Sequence, residues 1–185
     1  IPKPEKRDMS LILGSGTASL YEMMQVYHIF ANEGRQIEPY VIRRIENSRG
    51  SIIHQYSPDR GTRVFSPRMI RKLNNMLRHV VLDGTGKAAN IKGLNLHGKT
   101  GTSQQYRDAW FMSFTDQIIM GVWIGNDDNS PMKNVTGGGH PVILSADIWR
   151  LLLNNADFKA HLKPQKTKRN NSFLGQVLHS FETND

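Results

Sequence analysis

The sequence predicts an α+β fold, in which an antiparallel β-sheet is covered by helices. Three segments repeat their apolar residues at the three- and four-residue spacing of a helix face. Two β-rich apolar runs in the second half are joined by a short polar link, which favours an antiparallel hairpin. The chain has 185 residues, a usual length for one domain. It contains no cysteine, which excludes disulfides, zinc–thiolate sites and a cysteine nucleophile.

The first helix is predicted over residues 17–32. Either Ser19 or Thr17 can cap its N-terminus, and Glu22 lies three residues after Ser19, as a capping box requires. Gly34 supplies a stop just beyond the last apolar position. The expected core face consists of Leu20, Met23, Met24, Tyr27 and Phe30.

A surface hairpin and a second helix follow. The β-branched runs on either side of residues 47–50 (Asn-Ser-Arg-Gly) predict a hairpin with its turn there. The second helix is predicted over residues 67–82, with a proline at its first position. The glycine-rich run after it does not match a phosphate-binding loop, because Val81 and Ala88 stand where a glycine and a hydroxyl belong. The apolar stripe of this helix is predicted to comprise Met69, Ile70, Leu73, Met76, Leu77 and Val80.

The second half predicts three successive antiparallel strands and a last helix. The strands are expected over residues 96–102, 108–115 and 117–127, and the helix over residues 142–158. The residues of this helix that are expected to lie on the sheet are Ile143, Ile148, Trp149, Leu152 and Leu153.

Four side chains on these elements have a structural and a functional interpretation. Trp110, Trp123 and Trp149 are interpreted as core residues rather than as a stacking platform for a sugar or a base. Asp108 opens a strand, so a turn or salt-bridge role is favoured over one of orienting a neighbour near a site.

A single lysine between two glycines opens the first of the three strands. Lys99 offers a positive charge to an anionic group, and the hydroxyls of Thr100 and Thr102 can hydrogen-bond to a carboxylate. Gly101 has no Cβ, so a substrate backbone can come close. The backbone N–H of Thr102 is expected to be free at the strand edge to hold an oxyanion. This pattern suits a carboxylate-bearing acyl substrate, although a lysine beside Thr-Gly-Thr is also typical of the start of a turn.

Several blocks around this element occur in the order and spacing of a known family. They are LGSGTASLYEMMQVYHIFANEGR and LRHVVLDGTGKAA upstream, then GKTGTSQQYRDAWFMSFT, MGVWIGNDDNSPM, TGGG and ADIW. From residue 10 to residue 153 the chain resembles the penicillin-binding protein transpeptidase domain, most closely the bifunctional, class A kind. The resemblance implies acyl transfer between peptidoglycan stem peptides through a serine, without a cofactor. It also implies that Lys99, Thr100, Gly101 and Thr102 bind the carboxylate of a stem peptide or of a β-lactam.

Two further elements of the family do not occur in the expected place. The nucleophile of the family lies in Ser-x-x-Lys and a second element is Ser-x-Asn, both before Lys-Thr-Gly. The sequence contains no Ser-x-Asn, and its one Ser-x-x-Lys begins at Ser130, after the last strand. Ser130 is therefore interpreted as a loop residue, and no nucleophile is assigned in this chain. We expect the chain alone to be inactive and to expose apolar surface.

These observations predict a division of the chain and a location for its parent. Residues 1–9 are interpreted as a leading segment, residues 10–158 as the C-terminal part of the transpeptidase domain, and residues 159–185 as a basic, flexible tail. The resemblance implies a parent protein on the periplasmic side of the bacterial inner membrane. A membrane anchor is expected only in the N-terminal part that precedes this chain.

The net charge of +8 supports an alternative in which the chain is a non-enzymatic basic module. Such a module binds nucleic acid or an anionic envelope polymer through the basic tail, although a charge run of this kind is usually a solvated end. Under the transpeptidase interpretation no nucleic acid is expected as a partner. The seven histidines show no metal-ligand spacing, so no metal is expected, and His97 and His140 are left without a role.

Overall fold

The computed structural model describes residues 16–57, 61–156 and 158–159. The predicted leading segment and the basic tail beyond residue 159 lie outside the described residues. Runs of antiparallel strands are separated by single helices, which is an α+β arrangement, and the predicted fold class is confirmed. The helices are α1 (Leu20–Ala31), α2 (Pro67–Leu82) and α3 (His140–Asn154), and the strands are β1 (Arg35–Gln36), β2 (Arg44–Glu46), β3 (Ile52–Gln55), β4 (Thr62–Arg63), β5 (His97–Thr102), β6 (Asp108–Phe114) and β7 (Ile119–Gly125).

The main sheet of the described chain has three antiparallel strands in the order β5-β6-β7. The turn between β6 and β7 is closed by Thr115, whose N–H donates to the Ile118 carbonyl at 2.9 Å. The Thr115 hydroxyl accepts from the N–H groups of Gln117 and Ile118 at 3.2 and 3.1 Å. Side chains alternate between the two faces of a strand, so Phe111 and Ser113 face α3, whereas Met112 and Phe114 face α1.

The predicted capping box begins α1. Ser19 is the N-cap: its Oγ accepts from the Glu22 N–H at 3.2 Å, and its own N–H donates to Glu22 Oε2 at 2.7 Å. Gly34 ends this region with a φ of +86°, and a Cβ there would lie 2.4 Å from the Phe65 carbonyl oxygen. The predicted core face is confirmed, because Tyr27 is buried and packed with Leu20, Met23, Met24 and Phe30.

Helix α2 has the predicted bounds, but part of its predicted apolar stripe is wrong. Ile70, Leu77 and Val81 are buried, whereas Met69 and Met76 are 58% and 66% exposed. Each methionine precedes a buried residue by one position, which turns its side chain about 100° around the helix. Only one narrow stripe of α2 meets the rest of the described protein, so the methionines remain in solvent.

Helix α3 covers one face of the sheet through Trp149, which is fully buried. The Trp149 indole N–H donates to Ser113 Oγ at 2.9 Å, and Val142 and Ala146 are buried on the same side. The prediction for Ile143 is wrong, since this side chain is half exposed. The buried positions 142, 146 and 149 follow one helical stripe, and residue 143 lies outside it.

The core prediction is also wrong for Trp123, which is 40% exposed. Trp123 lies near the end of β7 and packs beside Trp110, with 6.2 Å between ring centroids. Its indole N–H donates to Asp108 Oδ1 at 3.0 Å. The polar edge of the indole is therefore satisfied at a solvent-exposed strand end, and full burial is not required.

The predicted surface hairpin is formed by β2 and β3. The two strands pair antiparallel around residues 47–50, and all their residues are exposed. Asn47 Oδ1 accepts from the N–H groups of Arg49 and Ser51, each at 2.9 Å. Gly50 has a φ of +78°, as a tight hairpin turn often needs.

Candidate active site

The candidate site lies on β5, which pairs with β6 on one side only within the described chain. The Ser103 N–H donates to the Asp108 carbonyl at 3.0 Å. In an antiparallel ladder every second residue of a strand forms backbone hydrogen bonds with the neighbouring strand. Counting back from Ser103 in steps of two, the backbone groups of Gly101 and Lys99 point towards β6. Those of Thr100 and Thr102 consequently point away from it. The Thr102 N–H is thus directed to the outer edge of β5, where sequence reasoning expected an oxyanion donor.

Lys99 lies at the same edge. Its side chain is exposed, and Nζ donates to the Thr100 carbonyl at 2.6 Å. Because that carbonyl points away from β6, the ammonium group is held beside the outer edge. The Lys99 ammonium, the Thr100 carbonyl and the Thr102 N–H therefore follow one another along the outer edge of β5.

The hydroxyls of Thr100 and Thr102 contact two loops that sequence reasoning did not connect with the site. Thr100 Oγ1 lies 2.7 Å from Thr85 Oγ1, in the loop after α2. Thr102 Oγ1 accepts from the Gly137 N–H at 2.9 Å, in the glycine run before α3. Both glycine-rich runs are visible in the sequence, but nothing in their spacing predicts that they meet β5.

Three glycines around β5 have different surroundings. A Cβ on Gly98 would lie 2.8 Å from Phe111 Cζ, so core packing requires glycine there. A Cβ on Gly101 would come no closer than 3.4 Å to its nearest neighbour, Trp110 Cβ, which is ordinary contact. A Cβ on Gly137 would lie 2.2 Å from the Gly101 carbonyl oxygen, so this loop packs directly on the strand backbone. The fold therefore demands glycine at residues 98 and 137 but leaves space beside Gly101.

Sequence comparison identifies the family to which this chain belongs. The family model described as "Penicillin binding protein transpeptidase domain" matches residues 5–137, well over half of the chain. The chain belongs to the penicillin-binding protein transpeptidase family. The predicted resemblance is confirmed, and the matched region contains the whole Lys-Thr-Gly-Thr element.

Known relatives show how much of a penicillin-binding protein the chain represents. Penicillin-binding protein 4 of Bacillus subtilis is 33% identical over 135 residues, which are 73% of this chain and 21% of that protein. Penicillin-binding protein 1A of Aquifex aeolicus is 30% identical over 154 residues, which are 81% of this chain and 21% of that protein. The chain thus spans about a fifth of the length of these relatives.

A solved structure supports the fold. Penicillin-Binding Protein 1A from Haemophilus influenzae superposes with a TM-score of 0.73 at 20% identity, covering 80% of this chain and 28% of that one. The described helices and sheet therefore have the arrangement of this part of a penicillin-binding protein.

The two histidines without a predicted role lie in different places in this transpeptidase domain. His140 is exposed at the first residue of α3. His97 opens β5, stacks on Phe114 and lines a cavity of about 250 Å³ together with Asn74. Burial lowers the pKa of His97, and Arg78 lowers it further, against opposing effects of a backbone hydrogen bond at Phe114 and of Asp116. His97 Nδ1 and Asn74 Oδ1 are buried and meet no hydrogen-bond partner in the described part of the chain.

The remaining candidate residues lie outside the β5 edge. Ser130 is in the loop after β7, where its Oγ accepts from Asn126 Nδ2 at 3.0 Å and its N–H donates to Asp128 Oδ1 at 3.0 Å. Asp108 accepts the Trp123 indole N–H and so links β6 to β7. Among the residues described, no group of three or more His, Cys, Asp or Glu side chains is arranged to hold a metal ion. No helix within the described ranges has the length and apolar character of a membrane span.

Proposed function

We propose that this chain supplies the Lys-Thr-Gly-Thr side of a D,D-transpeptidase, which cross-links peptidoglycan stem peptides and is acylated by β-lactams. The observation that carries the proposal is the outer edge of β5, where the Lys99 ammonium and the outward Thr102 N–H lie on one exposed stretch. Family membership supports the proposed reaction class, and the geometry of the strand supports the part proposed for each residue.

Each residue of the element has a distinct task in the proposed reaction. Lys99 Nζ and the Thr100 and Thr102 hydroxyls bind the carboxylate of the stem peptide or β-lactam through charge-assisted hydrogen bonds. Gly101 leaves space for the substrate backbone beside the strand. When a serine oxygen adds to the scissile carbonyl, negative charge develops on the carbonyl oxygen. The Thr102 N–H then donates to that oxyanion, where a fixed donor is most effective.

The serine nucleophile is proposed to come from outside these 185 residues. Acyl transfer through a covalent intermediate needs a nucleophile with an adjacent base, which the family places in Ser-x-x-Lys before this element. The one Ser-x-x-Lys of this chain begins in the loop after β7, and Ser130 Oγ accepts there from Asn126. We therefore propose that the chain alone is not acylated, and that the joined protein works on the periplasmic side of the bacterial inner membrane.

The experiment compares lysine variants of the longer protein in which this chain is joined to its Ser-x-x-Lys segment. Lys99→Ala is expected to lower the second-order rate of acylation by benzylpenicillin at least tenfold, because a hydrogen bond to a charged group contributes about 1.5–3 kcal/mol. Lys92→Ala, at an exposed lysine before β5, serves as the matched charge control and is expected to acylate at the wild-type rate. Equal rates for Lys99→Ala and wild type would contradict the proposal. Binding of an anionic polymer with steep salt dependence, unaffected by Lys99→Ala, would instead favour the basic-module alternative.

A further inference from the structure

The loop between α2 and the 3₁₀ turn at Lys87–Ala89 lies beside β5 and is hydrogen-bonded to the end of α2. The Gly84 N–H donates to the His79 carbonyl at 3.0 Å, and the Gly86 N–H donates to the Val80 carbonyl at 2.8 Å. A Cβ on Gly84 would lie 2.8 Å from the Val80 Cα, so the loop packs closely against the end of α2 at this residue. Thr85 stands between these two hydrogen-bonded glycines, and its Oγ1 lies 2.7 Å from Thr100 Oγ1 on β5.

The glycine run before α3 packs on the same loop. A Cβ on Gly138 would lie 3.1 Å from the Thr85 carbonyl oxygen, and Gly137 sits against the Gly101 backbone. Two loops from distant parts of the sequence thus meet each other at the face of β5 that carries Thr100 and Thr102. Each loop gives one hydrogen-bond partner to one of these threonines.

The direction of these hydrogen bonds decides what the threonine protons can do. A backbone N–H is only a donor, so at the Gly137 contact Thr102 Oγ1 must accept, which leaves its own proton available. At the contact between Thr85 and Thr100 either hydroxyl can donate. If Thr85 donates, Thr100 is left in the same state as Thr102, with its oxygen occupied and its proton free for an anion.

We propose that Thr85 is a positioning residue of the transpeptidase site, which donates to Thr100 Oγ1 and thereby directs the Thr100 proton to the substrate carboxylate. This inference rests on the proposed function of the Lys-Thr-Gly-Thr strand. Thr85 itself touches no substrate: it acts through Thr100, as the Gly137 N–H acts through Thr102. An anion at the β5 edge would favour this arrangement, because it accepts the proton that Thr100 then offers.

The experiment uses two substrates that differ only in the group that Thr100 is proposed to bind. The longer protein, in which this chain is joined to its Ser-x-x-Lys segment, is called the nucleophile-bearing protein. It is treated with benzylpenicillin or with the methyl ester of benzylpenicillin, and the ratio of the two acylation rates is measured. Thr85→Val keeps the shape of the side chain but removes the hydroxyl. It is expected to lower the acid-to-ester ratio about five- to tenfold, the effect of losing one oriented hydrogen bond. Thr85→Ser retains a hydroxyl and is expected to restore most of the ratio.

Controls separate this inference from its premise. Thr62→Val makes the same chemical change on the exposed strand β4 and is expected to leave the ratio unchanged. Thermal unfolding of each variant reports any loss of folding, which lowers both rates together and leaves the ratio at its wild-type value. A wild-type ratio in folded Thr85→Val would overturn the role of Thr85. If the wild-type protein is acylated equally fast by benzylpenicillin and by its methyl ester, or by neither, the proposed function of the strand fails first.

Discussion

Gly98 and Gly101 both lie on β5, but their α-carbons have different neighbours. Phe111 stands against Gly98, so an added methyl group there meets the core of the domain. Beside Gly101 a methyl group meets the Trp110 side chain at contact distance and otherwise open space. Core packing therefore requires glycine at residue 98, whereas the requirement at residue 101 is proposed to come from substrate binding.

We predict opposite outcomes for alanine at these two positions in the nucleophile-bearing protein. Gly98→Ala is expected to lower the free energy of unfolding by about 1–3 kcal/mol through overpacking. Gly101→Ala is expected to change stability little but to slow acylation by benzylpenicillin, because the new methyl group occupies the substrate's approach. Chemical denaturation and acylation rates measure the two effects. A Gly101→Ala protein that is strongly destabilised, or that benzylpenicillin acylates at the wild-type rate, would refute the proposed role of Gly101 in substrate binding.

His97 gives the domain a pH dependence with a definite sign. Burial is the main cause that lowers its pKa in the folded state below the ordinary value of about 6.5. Between the lowered pKa and about 6.5 the unfolded chain binds more protons than the folded one, so stability falls as pH decreases through this window. His97→Gln is expected to lose less stability than wild type between pH 7 and pH 5. Urea unfolding across that range tests this, and parallel curves for the two proteins would count against it.

At the scale of elements, the capping box of α1 is an isolated and measurable contribution. Ser19 and Glu22 exchange hydrogen bonds at 3.2 and 2.7 Å, and α1 packs its apolar face on the sheet. Ser19→Ala is expected to cost about 1 kcal/mol of unfolding free energy. Thr17→Ala is the matched control, since Thr17 was the other cap candidate and lies before the helix. A larger loss for Thr17→Ala than for Ser19→Ala would show that the helix begins elsewhere.

Local signals predicted these elements well, whereas contacts between elements were harder to predict. Pro67 acts within one helical turn and marked the start of α2 as predicted. The Ser19 capping box is also local, but the predicted range of the first helix opened at residue 17, whereas α1 begins at Leu20. The exposure of Met69 and Trp123 depends on which neighbour covers each face, and a single sequence does not contain that information. The same reason explains why the contact between Thr85 and Thr100 was missed, since α2 and β5 must first pack together before the two hydroxyls meet.

At the scale of the whole molecule, two clusters of buried side chains lie on opposite faces of the sheet. Phe111 joins Trp149 and α3 on one face, and Met112 joins Tyr27 and α1 on the other. The expected exposure of apolar surface is found on the outer side of α3, where Ile143, Leu144 and Leu151 are 50%, 47% and 69% exposed. β5 is the outer strand of the described sheet, and α2 and the loop that carries Thr85 lie beside it.

Under the proposed function, this chain provides the carboxylate-binding strand of a transpeptidase but not its nucleophile. The most direct measurement is the intact mass after incubation with benzylpenicillin, made on the 185-residue chain and on the nucleophile-bearing protein. We predict no added mass on the chain alone and one stoichiometric adduct on the longer protein, formed more slowly in Lys99→Ala. A stoichiometric adduct on the chain alone would contradict the claim and would make Ser130 the first residue to test as its nucleophile.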